Sequence, residues 1–276
     1  MSRINLFEFE DFNFIPVLLR NATTDCLSSY HRLWRVYNII YPDIVALLEK
    51  NDLTQIVDLC SGGTGTIAPL VTYIERYNLS KPVTITLTDL YPNASAFQLI
   101  SKQHSNVHYI DQSIDATNVP DNLIGMRTIF TAFHHMSREK AKAILKNTID
   151  CNMPIGIFEM TERSCLGLLQ MIIGGPIVCI ALLPFSRPRS LKKFLISPLA
   201  IFMTWWDGIA SCLRTYSVDE LNAMVKEVDP SGVYEWKIGK KFSLQALSYV
   251  TYLLGSKKLN HRILIQGNLG CDDEFL

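Results

Sequence analysis

The chain has 276 residues, 48% of them hydrophobic, with 26 basic and 26 acidic side chains and no net charge. That length suits one α/β domain with appendages, and neutrality excludes a global field that would gather nucleic acid. Seven cysteines without a Cys-x-x-Cys pair exclude a disulfide frame, point to a reducing compartment, and leave no metal site expected.

The stretch from Met1 to Glu10 is too acidic and too broken for a secretory signal, so the cytosol is the expected address. Phe7, Phe9, Phe12 and Phe14 sit among Glu8, Glu10 and Asp11, a pattern that drapes aromatics over a larger body. Thr23 to Lys50 predicts two helices broken near Tyr41-Pro42, with Leu27, Tyr30, Trp34 and Tyr37 on one apolar face. Residues 1–50 are expected to form a helical cap, 51–260 the main domain with an insertion at 164–213, and 261–276 an acidic, frayed tail.

Gln55 to Leu59 predicts a strand, Cys60-Ser61-Gly62-Gly63-Thr64-Gly65 a tight turn, and Thr66 to Tyr77 a helix. Glycines there allow positive φ and close approach of a ligand, and the helix N-terminus adds partial positive charge. The Gly-Lys-Ser/Thr ending of a phosphate loop is absent, and Gly-Gly-x-Gly is not the Gly-x-Gly-x-x-Gly of dinucleotide folds. An acid, Asp58, stands before the turn. With that acid the stretch resembles the first motif of class I S-adenosylmethionine-dependent methyltransferases. Cys60 stands where that family most often has its first glycine.

Val83 to Asp89 is a second β run ending in an acid, where a carboxylate can accept two hydrogen bonds from vicinal ribose hydroxyls. Val107 to Ile110 predicts a third strand, and Met126 to Phe133 a fourth that ends in His134-His135 before a helix capped by Ser137. Pro154 to Met160 predicts a fifth. Strand alternating with helix through five rounds argues for a parallel sheet covered on both faces, with ligands at its carboxyl edge. After the insertion, Ser217 and Glu220 make a capping box. Val233–Ile238 and Ala246–Leu254 then predict a closing hairpin that turns at Gly239–Ser243.

The resemblance implies a Rossmann-like three-layer sandwich: a mostly parallel seven-stranded sheet with an antiparallel last strand. It implies S-adenosylmethionine as cofactor. Asp58, Cys60, Ser61, Gly62, Gly63 and Gly65 would hold its methionine part, Asp89 with Leu90 the ribose, and Asp115 with Ala116 the adenine, with Asp111 as the competing candidate for that acid. Thr131 would stand beside the cofactor at the fourth strand's end. Arg20, Tyr30 and Tyr37 would close the pocket from the N-terminal helices. His134 or His135 would take a proton from a hydroxyl acceptor. Arg163, Trp206, Asp207, Arg214 and Tyr216 would line the acceptor side.

Between Arg163 and Arg187 lie 23 residues without charge, and after a basic turn with Arg187, Arg189, Lys192 and Lys193 come 13 more, Phe194 to Trp206. Length alone permits a membrane span. Gly174-Gly175-Pro176 and Ser197-Pro198 are expected to break both runs, which favours a lid or shallow hairpin in the membrane interface, with Trp205 and Trp206 at headgroup level. A soluble helical cap is the alternative. The expected function is methyl transfer to a hydrophobic or lipid-like small molecule, with peripheral membrane contact through 164–206 at the inner face and no nucleic-acid partner. A NAD-type oxidoreductase and a non-catalytic membrane-surface binding protein are the competing classes.

Overall fold

The computed structural model describes residues 1–12, 14–77, 79–182 and 191–258, so the expected acidic tail and Arg187 and Arg189 of the basic turn lie outside the described residues. The strands are β1 (Gln55–Leu59), β2 (Thr84–Leu87), β3 (Val107–Tyr109), β4 (Met126–Phe130), β5 (Ile155–Glu159), β6 (Tyr234–Ser243) and β7 (Ser248–Lys257). The helices are α1 (Val17–Trp34), α2 (Tyr41–Lys50), α3 (Ile67–Tyr77), α4 (Ala94–Gln103), α5 (Arg138–Asp150), α6 (Cys165–Leu182), α7 (Leu191–Arg214) and α8 (Val218–Val228).

The strands form one seven-stranded sheet in the order β3-β2-β1-β4-β5-β7-β6. β1 to β5 are mutually parallel, β7 runs antiparallel to β5, and β6 is antiparallel to β7. β4 and β5 are buried at every position, because helices cover both faces. Alternation divides each strand between two cores. Ile56, Ile85, Met126 and Phe158 pack with α2, α3 and α4, while Val57, Ile129, Ile157 and Leu253 pack with α5 and α8. The caps read from the sequence are present: Asn93 accepts from Ala96 N (3.2 Å), Ser137 from Lys140 N (3.3 Å), and Ser217 with Glu220 closes a capping box.

Three elements differ from expectation. The break in the N-terminal helices falls at Arg35, which adopts left-handed backbone (φ 46°), and α1 starts earlier, at Val17; Pro42 does open α2. The closing hairpin turns between Ser243 and Ser248, not at Gly239, which lies within β6. A side chain at Gly239 would meet the Tyr252 hydroxyl at 2.7 Å, so the glycine serves cross-strand packing.

The apolar insertion differs most. Neither proline breaks its helix, because each leaves one carbonyl without its usual N–H donor four residues on, and a side chain supplies another. Pro176 frees Ile172 O, which accepts from Trp205 Nε1 at 3.1 Å. Pro198 frees Phe194 O, which accepts from Ser197 Oγ at 2.6 Å. α6 and α7 therefore run on as a continuous antiparallel pair, both long and apolar enough to cross a membrane. They lean on each other closely: side chains at Gly175 and Gly208 would meet Trp205 at 3.3 Å and Met171 at 2.5 Å. The N-terminal segment is laced to α7, with Ile4 N donating to Leu213 O (3.1 Å) and Phe9 N to Asp207 Oδ1 (2.7 Å).

Candidate active site

The carboxyl edge of the sheet carries two separate constructions. The first is at the tips of β1 and β2. Thr88 N donates to Asp58 O (2.9 Å) and Ser61 N to Thr88 O (3.0 Å), which ties the glycine-rich turn to the neighbouring strand. Asp58 is buried, with Thr128 Oγ1 on one carboxyl oxygen at 2.6 Å and Ser61 Oγ against the other at 2.7 Å. Burial pushes this carboxyl up to about 7 against those hydrogen bonds, with Asp89 adding repulsion. Asp58 therefore buttresses the turn from within, on the strand that leads into it.

Within the turn, Cys60, Gly62 and Thr64 take positive φ (59°, 47° and 62°). Cys60 adopts the conformation that suits the glycine it replaces, at a cost of about 1 kcal/mol. The glycines serve different neighbours. A side chain at Gly62 would meet nothing within 4 Å, so that position faces open space. At Gly63 it would meet Ser28 Oγ at 2.1 Å, and at Gly65 the Ser28 backbone at 2.3 Å; α1 lies directly on this part of the turn.

Asp89 bridges the two tips. Its Oδ2 accepts from Gly62 N at 2.9 Å and its Oδ1 from Tyr91 N at 2.8 Å, with Leu90 and Tyr91 exposed beside it. Arg20 of α1 stands over the Tyr91 ring at 5.7 Å. Ile114 N donates to Asp89 O (2.9 Å), bringing Asp115 to the same rim. Asp115 is exposed and accepts from Thr117 N and Oγ1 (2.8 and 2.7 Å), an Asx turn, while Ala116 is buried and Asp111 exposed.

The second construction, beyond β4 and β5, is a cavity of about 540 Å³ between α1, α6, α7 and the β6–β7 turn. Leu27, Tyr30, Met160, Ile173, Val178 and Leu182 make its apolar walls; Glu8, Glu10, His134, His135 and Asp207 its polar floor. Thr131, in left-handed backbone at φ 48°, also lines it and hydrogen-bonds the Tyr37 hydroxyl. His134 is buried, with Nδ1 on Glu159 Oε2 at 2.8 Å and Nε2 3.8 Å from Glu8 Oε1. Glu159 is itself fixed by Phe133 N and His134 N at 2.7 and 3.1 Å. Burial opposes charge on His134, but Glu159 and Glu8 outweigh it and raise the imidazole to about 10. Both histidines expected to take a proton thus line the cavity. His135 has Nδ1 3.1 Å from Asp11 Oδ1 and Nε2 3.4 Å from Glu8 Oε2.

Of the five residues expected on the acceptor side, Asp207 alone lines this cavity. Its Oδ2 is buried without a hydrogen-bond partner, and burial pushes the carboxyl up to about 8. The other four brace the cavity from behind. Arg163 pairs with Glu220 (2.7 Å) and Arg214 with Asp11 (2.5 Å). Tyr216 donates to Met136 O (2.9 Å), and Trp206 to Phe7 O (3.0 Å), its ring tilted against that of Phe7. The sequence offered no local signal for Glu8, Glu10 and Asp11. Their neighbours Phe9 and Phe12, packed against Ile15, Leu19, Ala200 and Met203, carry them to the floor.

No protein-family model and no curated protein matches the sequence. Solved structures do resemble it at low identity. The plantazolicin methyltransferase BpumL, in complex with SAH, is 13% identical over 87% of this chain and 85% of that one, with a TM-score of 0.46. A SAM-dependent methyltransferase from Aquifex aeolicus is 12% identical over 85% and 97%, at 0.48. A protein from Rhodobacter sphaeroides, described as a zinc-dependent alcohol dehydrogenase, is also 12% identical, over 87% and 99%, at 0.48. The fold is defined by the strand order of the sheet. With β7 alone reversed, that order gives the chain the Rossmann-like fold of the class I S-adenosylmethionine-dependent methyltransferases.

Proposed function

We propose that the protein transfers a methyl group from S-adenosylmethionine to a hydrophobic small molecule, working against a membrane surface. One observation carries the reading: Asp89, bonded to Gly62 N across the tips of β1 and β2, sets a carboxylate beside an open glycine turn at the carboxyl edge. The residues present fit the cofactor. Each Asp89 oxygen accepts one backbone N–H and keeps a lone pair for a ribose hydroxyl. Leu90 and Tyr91 offer exposed apolar surface to a base, and Asp115 stands on the same rim. The bound cofactor supplies an electrophilic methyl on a sulfonium. The chain supplies alignment and a dry enclosure, the main needs of such a displacement. Asp207 Oδ2, unpartnered on the cavity floor, offers a bound acceptor a polar contact.

The cavity's apolar walls support a lipophilic acceptor, and α6 supports the membrane. α6 is apolar all round, yet Cys179 and Leu182 are its only fully buried residues; Ile177 is 64% and Ile173 59% exposed. A helix of that composition belongs in a core or in lipid, and among the described residues no core covers it. Phe194, Leu195 and Leu199 of α7 and Phe14 and Val17 near α1 extend the same exposed apolar surface. Since α6 and α7 also wall the cavity, a lipophilic acceptor would meet the site beside the surface that faces lipid.

Calorimetry with S-adenosylhomocysteine tests the cofactor: the protein should bind it, and Asp89→Ala should weaken binding at least about 100-fold, as loss of a buried charge-assisted pair costs about 3 kcal/mol. Binding of NADH instead would replace the reading with the oxidoreductase. Liposome flotation tests the membrane. The wild type should float and Ile173→Ser/Ile177→Ser should not, with its unfolding free energy unchanged within about 0.5 kcal/mol because both positions are exposed. The contact of Ser28 with Gly63 and Gly65 favours a second reading, a membrane-surface binding protein whose α1 occupies the cofactor's place. Flotation without affinity for either nucleotide would establish that one.

A further inference from the structure

We propose that Glu8, His134 and His135 form a site for one divalent transition cation of the zinc or ferrous class, on the floor of the cavity. Two histidines and one carboxylate, each with an oxygen or nitrogen within 4.8 Å of the others, are brought together by two distant parts of the chain, the N-terminal segment and the end of β4. His134 Nε2 stands 3.8 Å from Glu8 Oε1, and His135 Nε2 3.4 Å from Glu8 Oε2. Neighbouring ligands around a tetrahedral zinc stand about 3.3 Å apart, given zinc–nitrogen bonds near 2.0 Å. The gap between the three side chains is thus the size of a bound ion, with a small closing movement.

Two further observations point to a ligand. Glu8 Oε1 and His134 Nε2 are both buried without a hydrogen-bond partner, although each faces the other. Two buried polar atoms left open in this way are costly unless something sits between them. The outer atoms are already arranged as a metal requires. Each histidine has its Nδ1 beside a carboxylate, His134 on Glu159 at 2.8 Å and His135 on Asp11 at 3.1 Å. That contact fixes the tautomer and turns Nε2 inward, as in carboxylate–histidine–metal triads.

Imidazole nitrogens select zinc, iron and their neighbours over magnesium or calcium. Arg214 Nη1 lies 3.3 Å from Glu8 Oε1, a cation near the site, but it is held by Asp11 at 2.5 Å. The acids Glu8, Glu10, Asp11, Glu159 and Asp207 around the pocket outnumber it. With three protein ligands, the remaining positions of the ion open on the cavity, the pattern of a reactive rather than a structural centre. An oxygen of a bound small molecule can complete the shell there.

The site does not depend on the methyltransferase reading, and its test uses no nucleotide. The full chain, stripped with chelator, is titrated with zinc chloride by calorimetry and counted by elemental analysis. About one zinc per chain is expected. Glu8→Gln and His134→Gln should each weaken it at least about 10-fold, and Glu159→Gln, acting through His134, about 10- to 100-fold. Glu235→Gln, an exposed acid paired with Lys50 outside the site, should leave binding unchanged. Cobalt loaded into the wild type should give the visible bands of a tetrahedral nitrogen–oxygen site without thiolate charge transfer, a readout that needs no variant to fold. Binding below about a tenth of an equivalent, a thiolate band, or unchanged affinity in Glu8→Gln would overturn the proposal.

Discussion

The β1–β2 tips and the β4–β5 tips share one sheet edge but are put together in opposite ways. At the first pair, Asp58, the glycine turn and Asp89 follow directly from their own strands, and backbone bonds between adjacent tips hold them. At the second, the ends of β4 and β5 contribute His134, His135 and Glu159, while Glu8, Glu10 and Asp207 arrive from the N-terminus and α7. The first is local, rigid and polar; the second is a meeting of remote segments around an apolar hollow. A fold can thus keep its nucleotide end readable while its acceptor end is assembled from whatever the cap delivers.

Three variants break or sharpen that contrast. The largest effect is expected at Asp58. An unfolded aspartate titrates near 3.9, whereas the folded carboxyl is held at about 7. Between those values the folded chain keeps a proton that the unfolded chain has lost. Stability is therefore full below about pH 4 and falls as pH rises to about 7, by roughly 4 kcal/mol in all. Asp58→Asn mimics the protonated form and should flatten this decline relative to wild type in urea unfolding followed from pH 4 to 8. Parallel curves would show that Asp58 is charged in the native protein.

Next comes Gly65→Ala. The added carbon would lie 2.3 Å from the Ser28 Cα, backbone that cannot rotate away, so a loss of about 2–3 kcal/mol in thermal unfolding is expected. A loss under about 0.5 kcal/mol would mean that α1 lifts freely from the turn and that this end stands on its own strands alone. The smallest effect is a gain. Cys60→Gly removes the left-handed strain of a side chain at φ 59° and should add up to about 1 kcal/mol in the same measurement. A destabilised variant would mean that the thiol contributes packing that outweighs its strain.

The contrast also explains what could be read in advance. The sheet was legible because β1, β4 and β5 are short apolar runs punctuated by Asp58, His134 and Glu159, and because Asn93, Ser137 and Ser217 cap their helices visibly. Asp89 was legible for the same reason, as an acid at a strand tip. The continuity of α6 and α7 was not: Pro176 argues for a break, and its rescue by Trp205 is a contact between helices that no window of sequence displays. The role of Arg163, Arg214 and Tyr216 was hidden likewise, since residue type cannot say which side of a wall a side chain faces. Glu8 was the least visible. Amid phenylalanines it looks like solubilising charge, and only the anchoring of Phe9 and Phe12 beneath α7 makes it a buried ligand.

β7 lies between β5 and β6, although it is the last strand in chain order among the described residues. On a ribosome, β5 and the whole α6–α7 pair emerge well before the strand that closes the β5 edge. Until Ser248–Lys257 follows, β5 has a naked edge, with the apolar helix pair already exposed nearby, an invitation to aggregate. Birth is thus this protein's most exposed moment, and a bilayer or chaperone near the exit tunnel would have most to offer it then.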